Sequence, residues 1–84
     1  MSEFSGSYYV VRGVSFAVVL VRPQSFSSEE YMEELASAFS KFFPQVPIVL
    51  ATESSNGIRL WGQGDLVDYL SRSGPIQWKT YSTD

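Results

Sequence analysis

The 84-residue chain contains neither cysteine nor histidine. The first absence removes disulfides, thiolate nucleophiles and zinc-thiolate sites together. The second removes the side chain whose ordinary pKa suits proton transfer near neutrality and which most often ligates transition metals. Serine and threonine are plentiful, but a serine nucleophile needs a base, and its usual partner is missing. Lys41 and Lys79 could serve only if buried, and a polar helix face and an outer strand face keep them in water. Positive charge is scarce as well. Six Lys and Arg stand against nine Asp and Glu, for a net charge of −3, which counts against duplex nucleic acid or an anionic membrane as partner. The longest apolar run, FAVVLV at 16–21, falls far short of the roughly 20 residues that span a bilayer. The opening MSEFSGS carries an acid where a secretory signal would carry positive charge. These absences predict a cytoplasmic protein with no catalytic set, no metal site and no cofactor.

What is present suffices for a core. Hydrophobic residues make up 44% and aromatics 15% of the chain. At this length it forms one domain, burying roughly 60 to 65% of its unfolded surface. Residues 1–7, small and polar apart from Phe4, read as a flexible lead-in, and 8–84 as a single domain. YYVV at 8–11 and VSFAVVLV at 14–21 are strand-forming runs separated by Arg12-Gly13. The second is apolar on both alternating faces, as a central strand covered on both sides would be. Pro23 ends it, and the period then changes to that of a helix over 28–43. Ser27 with Glu30 forms a capping box, and Met32, Leu35, Ala36, Phe39 and Phe43 form the buried stripe. VPIVLATE at 46–53 implies a right-handed parallel crossover. Asn56-Gly57 then predicts a hairpin to IRLWG at 58–62. A short helix follows, with Gly64 or Asp65 at its start, Leu66, Val67 and Leu70 buried, and Gly74-Pro75 beyond its end. IQWKTY at 76–81 reads as a last strand. The fold expected is a two-layer α+β sandwich: a mixed four- or five-stranded sheet with two helices, in the order β-β-α-β-β-α-β.

Gly57, Gly62 and Gly64 raise the prospect of a phosphate-binding loop. Their spacing matches neither a Walker loop nor a dinucleotide loop, and Asp65 places a carboxylate where an anion would have to sit. They therefore read as punctuation. Asp65 with Asp68, and the Glu29, Glu30, Glu33, Glu34 group, could suggest a cation or acid-base pair, but a solvated helix start explains both. The aromatics are more informative. Trp61, Trp78 and Tyr81 fall on predicted strands near Arg59 and Lys79, and a sheet presenting rings beside cations can bind other molecules. The acidic balance favours a protein partner over a nucleic acid. One sheet face left bare by two helices on the other side would make that partner a second copy or another protein. The chain is thus expected to be a non-catalytic protein-interaction module acting through an aromatic sheet face or an edge strand.

One stretch, VPIVLATESSNGIRLWGQGDLVDYL at 46–70, resembles the closing hairpin and helix of thioredoxin and glutaredoxin folds. A Val-Pro opens a strand, an Asn-Gly turn follows, and a Gly-containing segment leads into a helix with Asp-Leu. The resemblance implies a cis peptide bond before Pro47 and a peptide-binding or small-molecule cleft beside it. The redox cysteines are absent, and so is room for the family's intervening strand, so a relative of this kind would be redox-inactive.

Overall fold

Strand pairing starts nearly at the N-terminus. The computed structural model describes residues 3–82. β1 (Glu3–Val11) pairs antiparallel with β2 (Val14–Leu20) across a two-residue loop, Arg12 and Gly13. Both loop residues have positive φ, 51° and 80°, as a type I′ hairpin requires. Residues 3–7 are therefore not a lead-in. They belong to β1 because Phe4 enters the core and Glu3 to Gly6 pair with the last strand. Residues 1 and 2 of that expected lead-in lie outside the described residues.

A 3-10 turn (Pro23–Ser25) leads to helix α1 (Glu29–Phe39). Its N-cap is Ser28, one residue beyond the expected Ser27: the Ser28 hydroxyl accepts from the Tyr31 amide at 3.1 Å. The helix stops at Phe39, and Lys41 lies in a second 3-10 turn (Ser40–Phe42). β3 (Ile48–Ser54) then runs parallel to β2, and β4 (Gly57–Trp61) folds back on β3. The β3–β4 loop is Ser55-Asn56; Gly57 is already in β4, with φ 114°. The type I′ turn is thus at Arg12-Gly13 and not at the Asn-Gly pair. Helix α2 (Gly64–Arg72) and β5 (Lys79–Ser82) complete the chain. β5 is shorter than expected, and Trp78 precedes it. The spatial order is β4-β3-β2-β1-β5.

The two faces of the sheet have different covers. Phe16, Val18, Val49 and Ala51 point to one side, where Leu66 and Leu70 of α2 pack with Ile76 and Trp78. Ala17, Val19 and Leu50 point to the other, where Met32 and Leu35 of α1 pack with Phe43. The expectation of two layers is therefore corrected to three: α1, sheet, α2. The cause is the alternation of β2, which presents apolar side chains to both sides; burying each Val or Phe among them is worth about 1.5–3 kcal/mol. The centre of each sheet face is covered by a helix, so no wholly bare face calls for a homodimer. The result is a small, compact α+β domain with a five-stranded mixed sheet and two helices. The two 3-10 turns flanking α1 are additions to the expected element order.

Among the described residues one buried side-chain polar atom has no partner. Thr52 is 1% exposed, and its hydroxyl is buried without a hydrogen bond. An unsatisfied buried hydroxyl costs about 1–3 kcal/mol, and valine keeps its shape in a strand. Thr52→Val is accordingly expected to raise the thermal midpoint by several degrees, on the scale of about 1 kcal/mol. Calorimetry showing a lower midpoint would contradict this.

Candidate interaction surface

The residues expected to form one binding face do not come together. Arg59 and Trp61 lie on β4 and Lys79 and Tyr81 on β5, the opposite edges of the sheet, with three strands between them. Trp78 packs on the α2 side and Tyr81 on the α1 side. Most of these rings are also engaged internally. The Trp61 indole donates from Nε1 to Glu29 Oε1 at 3.2 Å, and the Arg59 guanidinium lies 5.4 Å from the centroid of the Phe26 ring. Together they fasten the start of α1 to β4. Tyr81 stacks on Phe4 at 5.3 Å and meets Phe43 edge-on at 5.2 Å. Lys79 alone of the five is exposed and free of such a role.

The glycine segment is structural in its geometry. Gly62 has φ 154°, a conformation that residues with side chains rarely adopt, and a Cβ there would lie 3.2 Å from Val49 Cγ2, a tight approach to β3. Asp65 Oδ1 accepts from the Leu66 amide at 3.0 Å, which places the carboxylate at the start of α2. Asp68 pairs with Arg72 one turn later. Among the described residues no group of three acids converges to hold a metal ion.

Pro47 is exposed, and its carbonyl accepts from the Ala17 amide at 3.0 Å. The peptide bond before it is trans, since the described residues contain no cis bond; the cis geometry implied by the resemblance is absent. It borders a shallow concavity of about 480 Å³ with Glu29, Glu33, Trp61 and Gly62. A larger groove of about 600 Å³ lies between the β1–β2 turn and α2. Its walls are Val11, Val14, Phe16, Leu66 and Tyr69, with Arg12 and Asp65 beside them.

The surface missed by sequence reasoning is the outer edge of β1. β5 covers Glu3 to Gly6 only, and residues 7–11 have no strand outside them among the described residues. The register shows which of their backbone groups face outward. The Ala17 amide donates to Pro47 and the Val21 amide, at 2.7 Å, to Ala51, so odd-numbered residues of β2 bond to β3 and even-numbered ones to β1. Phe16 and Val18 are opposite Tyr9 and Ser7. Tyr9 and Ser7 thus bond inward, and the N–H and C=O groups of Tyr8 and Val10 point away from the sheet. Their side chains are exposed too, at 49% and 65%. The sequence signal was available: SYYVV is β-prone, uncharged and free of proline. What was missing was the length of β5.

No protein-family model matches the chain, and the searches of curated proteins and of solved structures return no match. No helix among the described residues is long and apolar enough to cross a membrane.

Proposed function

We propose that the chain is a non-catalytic interaction module that takes up an extended strand of a partner protein along residues 7–11 of β1. The observation that carries this is the outward-facing backbone of Tyr8 and Val10 beyond the end of β5. An open edge offers a row of unpaired donors and acceptors, and an incoming strand satisfies them while its alternate side chains contact the sheet face. The other edge is less receptive. β4 carries the charge of Arg59 at its centre, a common protection against strand addition. The centres of both sheet faces are covered by α1 and α2.

The test uses a substitution that blocks the edge without removing an internal bond. Val10 donates outward, so Val10→Pro deletes a donor that β2 does not use. A displayed library of random short peptides, selected against the chain, is expected to yield binders that shift the Tyr8 and Val10 amide resonances. Those binders should lose at least tenfold in affinity for Val10→Pro, while circular dichroism of the variant shows a retained fold. If the proline variant unfolds, Val10→Lys, which charges the edge, takes its place. Binders that perturb Ile48 and Trp61 beside Pro47, or that bind the edge variants unchanged, would overturn the proposal.

A further inference from the structure

The charges around the open edge bear on what kind of strand it accepts. Lys79 lies directly opposite Gly6, at the point where β5 ends and the open segment begins. Strand alternation places its side chain on the α1 side of the sheet, with Tyr8 and Val10. The 3-10 turn after α1 reaches the same place: Phe42 packs on Phe4 at 5.3 Å, Phe43 meets Tyr8 at 6.3 Å, and Lys41 Nζ lies 5.4 Å from the Phe42 centroid. Two lysines therefore stand on the α1 side of the β1–β5 edge. Among the described residues the acids lie elsewhere, Glu53 among them on β3 opposite Ile58. Glu29, Glu30, Glu33 and Glu34 occupy the other end of α1, where Glu29 reaches Trp61 on the far edge. Glu3 is opposite Ser82, at the remote end of the β1–β5 pairing. Asp65 and Asp68 border the groove on the α2 side with Arg12, and Asp68 is paired with Arg72. A chain of net charge −3 thus presents its open edge beside a local excess of positive charge.

We infer that the strand received at this edge is an acidic, extended segment of a partner protein, with carboxylates beside Lys79 and Lys41 and apolar residues over Tyr8 and Val10. The inference rests on the strand-addition proposal and adds the chemistry of the partner. Backbone pairing supplies affinity without regard to sequence, so selectivity must come from the side chains that flank it. Tyr8 and Val10 favour apolar neighbours on the pleated face, and the two lysines favour carboxylates at the end nearer β5.

The experiment uses three short synthetic peptides of alternating Val and Thr that carry Glu, Gln or Lys at both ends, titrated into isotope-labelled chain. The Glu peptide is expected to shift the Tyr8 and Val10 amides and to bind about fivefold tighter than the Lys peptide in low salt. The difference should shrink in high salt, and Lys79→Glu should reverse the order. Equal binding of all three peptides at Tyr8 and Val10 would overturn the acidic preference and leave strand addition standing. Failure of every peptide to reach those amides would remove both. Growth in mass of the chain alone with concentration, abolished by Val10→Pro, would assign the edge to a second copy and overturn the acidic partner.

Discussion

Phe4→Ala is expected to lower the thermal midpoint by roughly 10–25 °C. Phe4 lies among Phe39 at 5.0 Å, Phe42 at 5.3 Å and Tyr81 at 5.3 Å. It is the ring that joins the end of α1 to both β1 and β5. Removing a packed phenylalanine costs about 3–5 kcal/mol in a full core, and Phe4 is partly exposed, so the low end of that range, about 3 kcal/mol, is the appropriate figure. For a domain of this length total stability is about 4–13 kcal/mol, and each lost kcal/mol moves the midpoint by roughly 4–8 °C. The loss should be felt first at β5, whose Tyr81 rests on the missing ring. Amide exchange at residues 79–82 should accelerate more than exchange in β2. A variant that melts almost where the parent does would return residues 3–7 to the status of a loose terminal segment.

Leu70→Ala addresses the other layer and is expected to cost about 3 kcal/mol. Leu70 is buried on the face of the sheet opposite α1, with Leu66, Phe16 and Val49. A nine-residue helix does not persist in water without packing, so loss of one of its two buried leucines should loosen all of α2. Were α2 not packed on the sheet, the same change would cost only a few tenths of a kcal/mol, as exposed positions do. Tyr31→Ala, on the exposed face of α1, supplies that comparison. Phe4 and Leu70 pack into separate clusters on opposite faces, so their costs should add to within about 0.5 kcal/mol in the double variant. Strong non-additivity in denaturant titrations would show that the two faces are not independent.

The aromatic residues that attract attention as binding groups turn out to hold the molecule together. Trp61 ties β4 to α1, Trp78 fills the α2 layer, and Tyr81 closes the Phe4 cluster. In a domain this small, a large fraction of the chain lies near the surface, and the large rings are needed at the ends of the sheet to complete the core. The residues exposed along the open edge are less conspicuous: Tyr8 and Val10, beside a strand that stops short.

Local chemistry was enough to establish much of this protein. Alternation in 14–21 marked the central strand, the spacing of Met32, Leu35 and Phe39 marked α1, and Gly74-Pro75 marked the end of α2, because each of these signals acts within a few residues of itself. The same holds for the lack of imidazole and thiol, which limits the chemistry available whatever the fold. Tertiary structure alone decided the rest. Phe4 became core only when Phe39, Phe42 and Tyr81, distant in sequence, converged on it. Helix α2 went to the bare side of the sheet because β2 is apolar on both faces and α1 can cover only one of them. The open edge at 7–11 exists because β5 pairs with Glu3 to Gly6 and extends no further. Which backbone groups find partners depends on what the remainder of the chain brings alongside, and that is not written in the segment itself.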